Sequence, residues 1–492
     1  MVHTSALQPL RTYIRQNIGH LRSKPCLLIS SSPPPPSIST AVAGIKNPSS
    51  VTTDKKQLQQ HKQQLKFQQQ QHNPQTHAFV QRNVQTIQSE FNMRSVLCTI
   101  SSVFPTTESV NDAVLLAKRS GLKEGQFGFG DGLVIGIGSG AAIDLAKAVA
   151  DSLFCNVLSC KDGPNHQQGG SLVLAPSTLG GFMAACSNTP SLLLDTKEEM
   201  ILPHLTSAWV VAPGGHCRQG TVVTMDQQLS LPPLYSPLHQ PKRSSESCPG
   251  PSMAHYACAT LSILLDVART LDNNKTQIIE SALLEDMKVV ASSCASVLQL
   301  AAEEANESNS GEENGFRLLA AREHILKAIS FLAAVLDQSS QFIQGSTVPQ
   351  RLANALLPAY FANCHLVTYL ACILPGLCDS FANQSVSSVK DQVSILEELT
   401  KSILSCIDGG RKTDGRVQVA SLSSWASQIA VDTAIPSMAT LAYGTPDIHS
   451  LIGSLDSYEA LIASMIGTNA GICASSDDFA VMEDLLHRSL NR

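Results

Sequence analysis

Aromatic side chains are scarce in this chain: Phe, Trp and Tyr make up 5% of its 492 residues. Sandwiches and barrels draw on aromatic and β-branched strand residues, so an all-β architecture is disfavoured, and the many Ala, Leu and Ser residues point to helix-rich α/β. Long apolar runs are also missing. None reaches the roughly 18 residues of a membrane helix, and the most apolar stretch, Leu366 to Cys378, carries Pro375. This implies a soluble protein with no membrane partner. Nor is there a basic excess: 34 Lys and Arg face 40 Asp and Glu, for a net charge of −6. Such a balance gives no field for a polyanion, and nucleic acid is excluded as an expected partner. The 14 cysteines include no CxxC pair. The spacings Cys155/Cys160 and Cys372/Cys378 match no common zinc pattern. Several cysteines, such as Cys258, Cys294 and Cys364, lie in apolar helical runs, where a thiol acts as a small hydrophobe. Reduced thiols and a cytoplasmic location are the expectation. Residues 1–53 lack Asp and Glu altogether, and Arg11, Arg15, Arg22 and Lys24 stand there among Ser and Thr. That composition suits a mitochondrial transit peptide; a first helix over Leu7 to Ile18 and a strand over Cys26 to Ile29 is the competing reading.

The length allows two or more domains of roughly 150 residues each. Ser30 to Ser37 holds four consecutive prolines, and Gln57 to Gln75 is dominated by Gln with Lys and His. Neither stretch supplies a core, so 32–76 reads as a disordered insertion looped out of its domain. Helical spacing resumes at Ala78, with Phe79, Val80, Val84 and Ile87. Val96 to Ile100 reads as a strand, and Thr107 to Ala117 as a helix. The densest signal is Leu133 to Ala150, LVIGIGSGAAIDLAKAVA. An apolar run is broken by Gly138, Ser139 and Gly140, and a run of helix formers follows. A strand, a glycine turn and a helix N-terminus make an anion site from free N–H groups and the helix dipole. The alternative is a turn whose glycines only allow close packing. Ser171 to Ala175 is a second buried strand, ended by Pro176-Ser177-Thr178-Leu179-Gly180-Gly181 at the edge where open α/β sheets collect ligands. Further short strands are expected at Ser191 to Asp195 and Trp209 to Ala212. Gln227 to Pro251, rich in Pro, Ser and Gln, reads as a linker between an α/β domain (1–226) and a helical one (252–492). In the second half Met253–Leu271, Thr276–Glu304, Arg317–Leu336, Val348–Leu374, Val386–Ile407, Ser421–Val431 and Asp478–Ser489 have helical length and period.

These residues resemble the iron-containing alcohol dehydrogenase and glycerol dehydrogenase superfamily, which the dehydroquinate synthases join. Its GGGSxxDxAK motif is similar to Gly138 through Lys147, its PTTxGTGSE to Pro176 through Gly181, and a stretch ahead of the glycine motif to Phe104 to Val114. The resemblance implies a Rossmann-like α/β domain, then an all-α domain, with NAD or NADP between them. It implies hydride transfer to or from a small alcohol or carbonyl substrate, and a homodimer. By the same resemblance Gly138, Ser139 and Gly140 would cradle the pyrophosphate, and Ser177 and Thr178 would lie by the nicotinamide or phosphate. Asp144 would stand in the helix's first turn, as a ligand contact or as a structural carboxylate favoured by the dipole. Lys147 is expected to be a solvated helix residue. The departures concern the metal. Relatives hold Fe or Zn with an Asp and a His at i, i+4 and two later His; here Cys258 and Ser262 take the first two places, and Val348-Pro349-Gln350-Arg351 stands where a Pro-His-Gly is usual. His255, Cys258, Asp266 and His365 are the substitutes available, and the expectation is that no metal is bound. No catalytic acid is legible. The rival implication is an inactive relative that keeps the fold as a dinucleotide-binding or scaffold module.

Overall fold

The computed structural model describes residues 10–22, 24–31, 74–100, 104–122, 132–154, 170–186, 191–195, 200–204, 221–223, 232–235, 251–273, 281–306, 313–338, 347–353, 365–384, 394–407, 418–441 and 476–490. Its contacts divide the chain into two units: Ser5–Thr196 with Pro203–Ser230, and Met1–Thr4 with Lys197–Leu202 and Leu231–Arg492.

The first unit is built on short, almost wholly apolar strands. The described strands are β1 (Cys26–Ser30), β2 (Ser95–Thr99), β3 (Gly132–Gly138), β4 (Gly170–Pro176), β5 (Ser191–Asp195), β6 (Met200–His204, whose first three residues fall in the second unit) and β7 (Thr221–Val223). Five of them form one parallel sheet in the order β2-β1-β3-β4-β7, and β5 pairs with β6 separately. Parallel strands need crossovers, and helices supply them on both faces, which is why β1 and β3 are buried along their whole length. Alternate side chains sort into two cores. On one face Cys26, Leu28, Leu133, Ile135, Ile137 and Val173 meet α1 (Leu10–Leu21) and α2 (Pro74–Gln85). On the other Leu27, Ile29, Val134, Leu172 and Leu174 meet α3 (Thr107–Arg119) and α4 (Gly140–Phe154). Each fully buried aliphatic side chain contributes about 1.5–3 kcal/mol of burial. Gly136 lets α4 come close: a Cβ there would sit 2.6 Å from the Ala146 Cβ. Because β1 leads to β2 on one side while β3 leads to β4 on the other, the winding reverses between β1 and β3.

The helical and strand expectations shift in detail. The first helix begins at Leu10, and the helix expected from Ala78 begins at Pro74, a residue suited to a first helical position, then runs on as a π turn over Thr86–Glu90. The expected insertion up to residue 73, the strand at Trp209 to Ala212 and most of the linker at Gln227 to Pro251 lie outside the described residues.

In the first unit α5 (Leu179–Cys186) follows β4; from Leu231 on, the regular structure of the described residues is helical, running α6 (Met253–Asn273), α7 (Ser281–Asn306), α8 (Glu313–Gln338), a helical turn at 348–353, α9 (Leu366–Cys372), α10 (Leu374–Gln384), α11 (Ile395–Ile407), α12 (Gln418–Asp432), α13 (Met438–Leu441) and α14 (Ser476–Leu490). The single helix expected over Val348 to Leu374 is interrupted. His365 is extended (φ −77°, ψ 140°) and caps a new helix, and α10 starts afresh with Pro375 in its first turn. Likewise α11 starts at Ile395, well after Val386, because the Asp272 carboxylate takes the Ile395 amide at 2.8 Å and the Leu396 amide at 3.0 Å. Among the described residues no helix is long and apolar enough to cross a membrane, and the described cysteines are all free thiols.

Candidate functional site

The reversal point between β1 and β3 gathers three loop starts. Gly138, the last residue of β3, has φ +134°, a conformation that L side chains rarely adopt, and a Cβ there would run into the Ser31 hydroxyl just past β1. Ser31 Oγ accepts the Ser139 amide at 3.2 Å, tying the end of β1 to the turn. From the β4 side, the Ser177 amide donates to the Gly138 carbonyl at 2.9 Å. Gly181, in the first turn of α5, packs on the same carbonyl: a Cβ would lie 2.5 Å from it. Its amide donates to Thr178 Oγ1 at 3.0 Å, which fixes the Pro176–Gly181 turn. The Ile143 amide makes the first bond of α4, to the Ser139 carbonyl, so the amides of Gly140, Ala141 and Ala142 precede any intrahelical bond. Ser177 Oγ is buried, at 1% residue exposure, with no hydrogen-bond partner among the described residues. Leading amides, a helix dipole and an orphaned hydroxyl together fit an oxyanion of phosphate type, and they fit the pyrophosphate of a dinucleotide.

The structure thus brings Gly138, Ser139, Gly140, Ser177 and Thr178 together, and it corrects two expectations. α4 begins at Gly140 and its first turn holds no acid, so Asp144 lies a turn deeper, buried within the helix. Lys147 is not solvated: at 1% exposure it is buried, and its Nζ donates to the Ala184 carbonyl of α5 at 3.1 Å. The reason is that α4 is covered by the sheet, α3 and α5 together, so Asp144, Lys147 and Asp151 are buried along with its apolar positions. Lys147 therefore fastens α5 to the helix that carries the glycine turn.

A second group lies in the helical unit. His255 stands at the third residue of α6, where Nδ1 accepts the Ser252 amide at 3.2 Å and bonds the Ser252 hydroxyl at 2.7 Å. His365 Nδ1 accepts the Val367 amide at 3.2 Å and caps α9. Both rings are thus capping acceptors. Capping needs a neutral ring, and burial holds both pKa values down to about 4, with His365 also opposing a charge on His255. Ser262 Oγ of α6 donates to the Leu370 carbonyl of α9 at 2.9 Å, joining the helices that carry the two rings. With Nδ1 of each accepting a backbone N–H, the ring proton belongs on Nε2. That is the reverse of a metal-bound imidazole, which donates its outer N–H and coordinates through the other nitrogen. The other substitutes are engaged elsewhere. Asp266 holds Arg269 at 2.8 Å and the Val348 amide at 2.9 Å. Burial and the thiols of Cys294, Cys372 and Cys378 push Cys258 up, keeping it protonated. Among the described residues no group of three or more His, Cys, Asp or Glu is disposed to hold a metal. His255, Cys258, Asp266 and His365, so engaged, do not fit a divalent cation. Sequence reasoning named His255 and His365 only as possible metal ligands and missed that each accepts a helix-start amide. The available signal was capping: Ser252-x-x-His255 has capping-box spacing, and His365 immediately precedes an apolar run.

Comparison with solved structures gives the fold. An iron-containing alcohol dehydrogenase from Thermococcus thioreducens superposes with a TM-score of 0.53 at 12% identity, covering 99% of this chain and 97% of that one. The alcohol dehydrogenase from Oenococcus oeni gives 0.53 at 10% identity, covering 98% and 97%. Sulfoacetaldehyde reductase from Bifidobacterium kashiwanohense, solved with NAD+, gives 0.50 at 11%, covering 98% and 94%. No protein-family model matches the chain, and no curated protein matches it in sequence. At these identities the likeness is one of backbone architecture.

Proposed function

We propose that this chain, which has the iron-containing alcohol dehydrogenase fold, is a nicotinamide-dependent oxidoreductase that interconverts a small alcohol and its carbonyl compound. The observation that carries the reading is the turn at Gly138: a positive φ, two glycines that admit no Cβ, three leading amides and the orphaned Ser177 hydroxyl converge where the winding of the sheet reverses. A bound nicotinamide would supply or accept the hydride. The chain's own part is to bind and orient. Gly138 and Gly181 keep the cradle clear, and the amides of Gly140 to Ala142 take pyrophosphate oxygens. Ser177 and Thr178 give hydroxyls beside it, and Lys147 holds α5 in register with α4. NAD+ in the Bifidobacterium reductase supports the cofactor class. Transition-state charge is worth several kcal/mol to stabilise, and in this chain hydrogen-bond donors would provide it. The test is fluorescence titration of the whole protein with NADH and NADPH, followed by turnover of small aldehydes and keto acids with and without added Fe²⁺ or Zn²⁺. Binding with turnover is expected. Binding without turnover under every condition would end the enzymatic reading, and absence of binding would end the dinucleotide reading as well.

A further inference from the structure

Cys258, Ser262 and Asp266 follow one another at i, i+4 spacing and form a single stripe along α6. The first two occupy the places where the sequence resemblance implies an Asp and a His for a divalent metal, and Gln350, after Pro349, occupies that of a later His. Each side chain of this set is engaged within the protein. Ser262 Oγ shares its proton between the Cys258 carbonyl at 3.0 Å and the Leu370 carbonyl of α9 at 2.9 Å. Asp266 uses both oxygens: Oδ1 accepts Arg269 Nε at 3.0 Å and Nη2 at 2.8 Å, and Oδ2 accepts the Val348 amide at 2.9 Å. Gln350 Oε1 accepts the Thr347 amide at 2.9 Å and the Thr347 hydroxyl at 3.0 Å, which caps the turn that Val348 opens. Cys258 is of a ligating type, and it is buried at 1% exposure with its thiol held protonated. A protein-held zinc or iron of this kind needs three ligands from the chain, and these places do not supply them. A metal shared by α6 and later helices would also cross-link them. Here the cross-links are hydrogen bonds: Ser262 ties α6 to α9, and Asp266 ties it to the turn at 348–353.

We infer that this polar stripe stands in place of the metal: Ser262 and Asp266 fasten α6 to the segments that a cation would otherwise join, and the chain works without a divalent cation. The functional half of the inference rests on the oxidoreductase reading given above; the structural half rests on the hydrogen bonds alone. The experiment expresses the full chain in medium supplemented with iron and zinc and measures metal per chain by mass spectrometry after gel filtration. Melting is then followed with EDTA and with rising Fe²⁺, Zn²⁺ or Co²⁺. A metal that binds only the folded chain raises the melting temperature with its own concentration. Far less than stoichiometric metal is expected, with melting unmoved by EDTA or by any of the ions, and with NADH affinity by fluorescence the same before and after EDTA. Ser262→Ala should lower the melting temperature by about 2–4 °C, and added metal should not restore it. Asp266→Asn, which discharges the partner of Arg269, should lower it further. Stoichiometric metal, a concentration-dependent rise in melting temperature, or the visible absorption bands of coordinated Co²⁺ would overturn the inference. A Ser262→Ala protein that melts with the parent would overturn the fastening role. The metal measurements involve no nucleotide, so a chain that binds neither NADH nor metal keeps this structural assignment while the dinucleotide reading falls.

Discussion

Gly138, Gly140 and Gly181 look interchangeable in a glycine-rich motif, yet the structure gives them different tolerances. Gly138 combines a positive φ with the Ser31 hydroxyl in the space of its missing side chain, and Gly181 has the Gly138 carbonyl there. A Cβ at Gly140 would meet its nearest atom, the Gly180 carbonyl oxygen, at 3.5 Å, an ordinary contact. Gly138→Ala is therefore expected to lower stability by about 1–3 kcal/mol and to abolish dinucleotide binding. Gly140→Ala should melt within a few degrees of the parent, since it only adds a good helix former at the helix start. Thermal melts and fluorescence titration of the pair check both. Lys147 makes a comparable point about buried polarity. Lys147→Met keeps the bulk and removes the donor to the Ala184 carbonyl, and a loss of about 1–3 kcal/mol in urea unfolding is expected.

Among the elements, the helix starts carry more of the chemistry than the helix faces. His255 and His365 cap α6 and α9 as neutral rings whose pKa is held near 4, below the ordinary 6.5. A depressed pKa in a basic group means that the unfolded chain binds the extra protons. Stability is therefore full above pH 6.5 and falls as pH drops towards 4, by on the order of 3 kcal/mol for each ring. Urea unfolding between pH 7 and 4 should show this slope, and His255→Gln should remove about half of it; a slope unchanged in the variant would mean that the ring is already charged in the folded state. At α11, Asp272 accepts the Ser394 hydroxyl at 2.7 Å as well as two leading amides, so Asp272→Ala should cost about 1–2 kcal/mol. Much of this architecture was legible beforehand. The apolar run ending at Gly138 and the Ala-rich stretch after it specify β3 and α4 locally, and both stand where periodicity put them, give or take the ends. What was not legible depends on partners remote in sequence. The helix break at His365 comes from a single cap inside an apolar run. The burial of Lys147 comes from α5, which packs on α4 and accepts its hydrogen bond. A carboxylate at i, i+4 announces itself in sequence, whereas a histidine that serves as a backbone acceptor does not.

At the scale of the whole chain, architecture and sequence have separated. The backbone superposes on dehydrogenases at 10–12% identity over nearly its whole length, so a similar backbone plan is met by different side chains. The cores of the first unit draw on residues from both sides of the Pro- and Gln-rich stretch, on α1 and β1 before it and on α2 and β2 after it. Replacing 33–72 by a short Gly/Ser linker should therefore change stability by less than about 1 kcal/mol, because loop closure depends only weakly on loop length; a large fall in melting temperature would show that the stretch belongs to the core. The central position of β1 has a consequence for synthesis on the ribosome. Its partners are residues 95–99 on one side and 133–137 on the other. At about 5–20 residues per second, the N-terminal segment emerges several seconds before its second neighbour exists. During that interval β1 has an open edge and α1 an uncovered apolar face. This early strand thus stays open on one edge, and accessible to chaperones and other cellular handling, until β3 arrives.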